Sequence, residues 1–232
     1  MDEAAAKELV DKIMGQVFGF QNPLTLDQVM QKFAFDIRLP QQVFDMISNQ
    51  PTWAQSTGAP KFMTFQSMLD APDGNWLRPK RPLNGIEDML AAWSEINEMA
   101  TERQLDSLNV GQSDNIYSSE NIFRSMDIHD SKNIVFSDGV MDGCEYVLAS
   151  QRAQASTFCI RLEDSSKCSN SFNVQWSNSI SNSLFISNAT KLQDCMFCSN
   201  INSQRYMIAN MQFTKEEYMH YREMVVRWIL TG

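Results

Sequence analysis

From Ile116 to Ile201 the chain places a residue suited to burial at every third position. The first block spaces Ile116, Ile122, Ile128, Ile134, Val140 and Tyr146 six apart, with Ser119, Ser125, Ser131, Ser137, Gly143 and Ala149 midway between them. A second block resumes with Cys168, Val174, Ile180, Ile186, Leu192 and Cys198, interleaved by Ser171, Ser177, Ser183, Ala189, Cys195 and Ile201. A period of three cannot stay on one helix face, because about 3.6 residues per turn carries the stripe around the cylinder. Nor does it suit a plain strand, where residues three apart point to opposite sides. Both sets face inward only if the backbone turns a corner between them, which predicts a narrow β-solenoid of very short strands. Ser and Asn fill the intervening positions and suit tight corners, since they bond locally to the backbone.

Coil length follows from the outward positions. Phe172, Leu184 and Met196 lie twelve apart, while the matching positions of the intervening hexads are Asn178, Thr190 and Asn202. Apolar and polar ladders alternate, so the repeat is about twelve residues. That geometry resembles the narrow right-handed β-helix of beetle antifreeze proteins, although the paired Thr-x-Thr rungs are absent. The outward set Phe172, Trp176, Leu184, Phe185, Met196 and Phe197 is too apolar to leave wet along a thin rod. It either packs beneath other segments of the chain or forms a subunit interface.

Flanking the repeat, residues 2–15 predict an amphipathic helix with Leu9, Val10, Ile13 and Met14 on one stripe. Thr25 or Asp27 caps a second helix through Leu26, Val29, Met30 and Phe33. FDIRL, QVFDMIS and KFMTF read as short strands, and DAPDGNWLRPKRPLNG as a loop holding Arg78, Lys80 and Arg81. Ile86 to Leu108 predicts a long helix covering the open end of the solenoid. Thr214–Glu217 is a capping box that opens a final helix, whose Met219, Met224, Val225, Trp228 and Ile229 suit bracing the last coil. The expectation is therefore an α+β chain: a helical and mixed region over 1–111, a right-handed β-solenoid over 112–213, and a capping helix over 214–232.

Residues 150–166 interrupt the rhythm as one altered coil, with Phe158 keeping the twelve-residue register from Tyr146 and the loss of register between Tyr146 and Cys168 marking a bulge or extruded loop. An irregular rung is a place for function, which makes Arg152, Arg161 and Asp164 the ligand-binding candidates. The segment KLQDCMFCSNINSQRYMIANMQFTKEEY closes the repeat with Cys195, Cys198, Tyr206, Ile208, Asn210 and Lys215 to Tyr218. Over about Asn115 to Tyr218 the chain resembles an uncharacterised Cys-rich triplet-repeat family of candidate-phylum bacteria and of phage or environmental genomes. That resemblance implies a solenoid fold and no particular activity. The zinc-ribbon-like segment associated with the family has no counterpart in the cysteine-free stretch FDIRLPQQVFDMISNQPTW.

The formal net charge of −9 disfavours a nucleic-acid partner. Residues 1–111 hold nine Lys and Arg against fifteen Asp and Glu, so much of the acidity lies there. No long apolar run suggests a membrane span, and five cysteines with fifteen methionines suit a reducing, cytoplasmic setting or a virion. Cys195-x-x-Cys198 lacks the further ligands that zinc needs, and both cysteines fall on the core rhythm. His129 is the one coil histidine that could act as an acyltransferase base. Asp138 with Asp142, or Asp127 with Asp130, could mimic a polysaccharide-cleaving pair. A five-residue rung, as in pentapeptide DNA mimics, does not match the period.

Neither a phosphate loop nor a nucleophile elbow is present. The expected role is a non-enzymatic structural or assembly protein with no cofactor or metal. It would contact a protein partner or further copies of itself, with a carbohydrate-binding or carbohydrate-active solenoid as the alternative.

Overall fold

In the computed structural model, which describes residues 1–72 and 76–231, the chain forms a β-solenoid of about nine turns flanked by helices. Consecutive coils pair in parallel at a spacing of twelve: Ile116 faces Ile128, Ile122 faces Ile134, and Phe172, Leu184 and Met196 follow one another. Asn178, Thr190 and Asn202 form the expected polar ladder. The stack starts at Gln104, earlier than residue 112, because Gln104 already pairs with Ile116 and Leu108 with Glu120.

The corner has one recurring conformation. Every third residue from Asp106 to Asp142, and again from Tyr146 to Ala209, has a positive φ, and all but Gly139 are non-glycine. Two extended residues followed by one left-handed residue bend the chain, and four such steps close a coil. Asn and Asp tolerate this backbone best. Aromatic corners are accommodated by stacking on the next coil: Tyr146 lies 4.4 Å from Phe158, and Phe185 lies 4.8 Å from Phe197, both nearly parallel. Amide corners are linked by side-chain bonds, as in Asn109–Asn121–Asn133.

The small inward residues form hydrogen-bonded ladders between coils. Ser125 Oγ donates to the Phe123 carbonyl at 2.9 Å and accepts the Ser137 amide at 3.1 Å. Ser137 repeats this with the Val135 carbonyl and the Ser150 amide. Parallel ladders run through Ser107, Ser119 and Ser131, and through Ser171, Ser183 and the Cys195 amide. Among the described residues, no buried side-chain N or O atom lacks a partner.

The register slip is a single inserted residue at Gly143, not an irregular coil at 150–166. Pairs before it are twelve apart, whereas Ile134 faces Val147 and Asp138 faces Gln151, thirteen apart. Twelve returns with Val147 facing Cys159. Cys144, Val147, Ser150, Ala153, Ser156, Cys159, Leu162 and Ser165 are all buried, so the rhythm crosses 150–166 unbroken. Tyr146 is an outward corner rather than a core residue, and Ala149 packs on the outer flank. Phe158 does keep register with Tyr146, as an outward corner.

Helix α1 (Glu3–Phe18) begins at the Asp2 cap and buries Leu9, Val10, Ile13 and Met14. Helix α2 (Leu26–Phe33) carries a Thr25–Gln28 capping box and buries Val29 and Phe33. Both join the apolar cluster on the solenoid flank that contains Phe172, Leu184 and Met196. FDIRL forms no strand. Asp36 instead receives two hydrogen bonds from Arg161, at 2.9 and 2.7 Å, and Arg161 also bonds the Phe33 carbonyl at the end of α2.

Strands β1 (Gln41–Phe44) and β2 (Pro51–Ala54) form a hairpin. Strand β3 (Lys61–Thr64) leads into α3 (Phe65–Leu69). The expected helix over 86–108 is only α4 (Ile86–Ser94); β4 (Glu98–Thr101) follows and pairs with β3, and the strands beyond already belong to the stack. The N-terminal end is therefore closed by this small β-unit, whose buried Thr52 and Thr101 hydroxyls meet at 2.7 Å.

At the other end, Met211–Gln212 folds back antiparallel on the last strand. Helix α5 (Lys215–Thr231) opens with the expected Thr214–Glu217 box. It buries Tyr218, Val226, Ile229 and Leu230, while Met219, Met224 and Trp228 stay exposed. The buried face joins the flank cluster with α1, and Arg222 bonds the Val17 carbonyl. α5 thus braces the flank as well as the end.

Replacing Ser125 by Ala deprives the buried Ser137 amide of its acceptor, a cost of about 1–3 kcal/mol. Thermal unfolding should show Tm lower by roughly 2–10 °C, with Ser125→Cys milder because a thiol serves this position at Cys144. An unchanged midpoint in Ser125→Ala would contradict the ladder.

Candidate functional site

The predicted site residues do not form one site. Arg161 ties α2 to the solenoid through Asp36, which the guanidinium holds below the usual carboxylate range. Arg152 and Asp164 occupy successive corners of a regular column and bond at 2.5 and 2.7 Å. Their bond likewise lowers the Asp164 carboxyl. No irregular rung sets these residues apart, although Arg152 and Asp164 remain exposed.

The outward apolar ladder divides. Phe172, Leu184 and Met196 are buried beneath the chain's own helices, which removes them as an interface. Phe185 is half-buried, with Phe172 and Trp228 against its ring. Only Trp176 and Phe197 remain exposed.

All five cysteines are buried and free, none in a disulfide. Cys168, Cys195 and Cys198 sit inward as expected, and the slip at Gly143 brings Cys144 and Cys159 inward too. Burial pushes the Cys144 and Cys168 thiols up to about 11. Cys195 is raised by its bond to Cys198 and by burial. These thiols act as packing groups and weak hydrogen-bond donors. No group of three metal-ligating side chains occurs among the described residues.

His129 stacks on Tyr117 at 5.0 Å. The richest polar cluster joins the N-terminal β-unit to the first coils. Asp114 is fully buried and accepts bonds from the Arg103 amide and guanidinium and from the Gln55 amide, all at 2.8–2.9 Å. Gln55 reaches on to Asp127, which also accepts from Asn115. Each carboxylate here is matched by donors, which is the chemistry of a clamp. Nothing local distinguishes Asp114 in the sequence, because its partners lie in other segments. Arg81 of the basic turn is paired with Glu95 at 2.7 Å.

Asp138 differs. Burial, then the nearby Asp127 charge, pushes its carboxyl up to about 6. Its neutral form is favoured in the fold, so this group's contribution to stability falls as pH rises through 6. Asp138→Asn should therefore unfold at higher temperature than the parent near pH 7.5, the gap closing as pH falls to about 4.5. A pH-independent gap in melting scans would rule this out. Asp114→Asn should cost about 1.5–3 kcal/mol by removing the charge that the Arg103 guanidinium and the Gln55 and Arg103 backbone amides share, read by denaturant unfolding; a loss within error would show that the clamp is dispensable.

Comparison with known proteins finds no matching family model, no matching curated protein and no matching solved structure.

Proposed function

We propose that this protein is a non-enzymatic assembly component: a stiff solenoid rod that presents an apolar contact surface to further copies of itself or to a partner shell such as a virion. The observation that carries this reading is α4. Its stripe of Ile86, Met89, Leu90 and Trp93 is 48–66% exposed, and the helix buries none of its residues. Leu77 and Leu83, which precede it, are exposed as well. Large apolar side chains gathered on one short segment mark a contact surface, whereas scattered ones do not.

The contact surface therefore lies near the N-terminal β-unit rather than along the ladder of Phe172, Leu184 and Met196. A rod suits such a role because its coils transmit position without bending, each bonded to the next along its length. Among the described residues, no helix is long and apolar enough to cross a membrane.

Size-exclusion chromatography with light scattering tests the reading. A dimer or larger species is expected at high concentration, converted to monomer by Leu90→Glu with Trp93→Glu at unchanged Tm. A parent protein that stays strictly monomeric, or an oligomer that the double variant leaves intact, would refute it.

A further inference from the structure

A second surface, which does not use α4, has the features of a ligand groove. Its floor is the inward column Ser165, Ser177, Ala189 and Ile201. One wall is the corner column Arg152, Asp164, Trp176, Asn188 and Asn200; the facing wall is Gln154, Ser166, Asn178, Thr190 and Asn202. Two hollows of about 410 and 340 Å³ lie in line on these columns, the first beside Arg152 and Asp164, the second between Trp176 and Asn202. Four steps of about 4.8 Å between coils give the corner wall a length of about 19 Å.

Trp176 is 58% exposed within this wall. Its neighbour in the corner column, Asp164, is held by Arg152. More than half of the Trp176 side chain is exposed, which leaves indole ring surface open to a ligand. Beyond it, the walls are rows of amides and hydroxyls. Asn188 donates to Asn200 at 2.6 Å, Thr190 to Asn202 at 2.9 Å, and Asn178 to Ser166 at 2.6 Å. Each amide retains donor or acceptor capacity after these bonds. The one charged pair in the groove is internally neutralised.

An aromatic face beside repeated neutral donors and acceptors matches a ligand with apolar C–H faces and many hydroxyls. We infer that this groove binds an uncharged linear polysaccharide, with Trp176 as the stacking platform and the Asn188–Asn200 and Thr190–Asn202 rows bonding its hydroxyls. A preformed platform on rigid coils spends little ordering entropy on binding. An anionic polymer fits less well, because Arg152, the cation lining these hollows, is already paired with Asp164 and the chain carries a net charge of −9. No bond is made or broken; the groove holds its ligand.

Titration calorimetry with cellohexaose, chitohexaose and laminarihexaose tests this, with an oligogalacturonate as the acidic control. At least one neutral hexasaccharide should bind with Kd below about 1 mM. Trp176→Ala should weaken it at least tenfold at unchanged Tm, and Trp176→Phe should restore part of the loss. Asn188→Ala gives a second, smaller loss without touching the aromatic ring. Absence of binding by every neutral hexasaccharide at millimolar concentration would overturn the inference. So would an unchanged Kd in Trp176→Ala, or tighter binding of the oligogalacturonate.

Discussion

The left-handed corner at every third residue is the constraint on which the rest of this molecule depends. An L-residue in that conformation is strained by roughly 1–2 kcal/mol, and the chain repeats it along the whole column. No single coil could sustain that cost. Stacking offsets it, because each corner delivers backbone amides to the preceding coil, an inward side chain to the core and an outward one to a ladder. The serine hydroxyls complete the arrangement by accepting amides that the corners leave pointing inward. Stability in such a column is a property of neighbours rather than of local segments.

A thin column has two weaknesses, its ends and its flank, and the non-repeating segments answer both. α1, α2 and α5 bury the outward apolar ladder and merge it with their own stripes into a second core beside the solenoid interior. The small β-unit closes one end through the buried Asp114–Arg103 clamp, and an antiparallel return closes the other. What is left uncovered is informative for the same reason. α4 gathers several exposed apolar side chains on one short segment, whereas Trp176 stands exposed among polar corners, and the two differ in chemistry.

Much of the column was legible in the sequence because its signal is periodic and carried by side-chain size. Ile116 to Val140 and Cys168 to Cys198 could be placed inward from spacing alone, and Phe172, Leu184 and Met196 set the coil length. Gly143 was harder. One inserted residue shifts the phase, and Tyr146 happens to satisfy the unshifted pattern, so spacing alone shows the slip several residues late and leaves Cys144, Cys159 and Ser150 off the rhythm. The helix expected over 86–108 failed because its apolar spacing persists into strands whose parallel partners lie elsewhere in the chain. Arg152 and Asp164 bond each other on a regular corner column and Arg161 bonds Asp36 beyond the end of α2, so no irregular rung sets the three apart. Of the groove beside Trp176, the polar column Asn178, Thr190 and Asn202 was legible from its twelve-residue spacing, whereas the hollow between it and the corner column was not.

The central claim is the periodic corner, and backbone chemical shifts with ³J(HN,Hα) couplings from the isotope-labelled protein test it most directly. The account predicts left-handed φ at every third residue from Asp106 to Asp142, then a one-residue displacement at Gly143 and resumption from Tyr146 to Ala209. Extended or right-handed helical values at those positions, or a phase that runs through Gly143 without displacement, would contradict it.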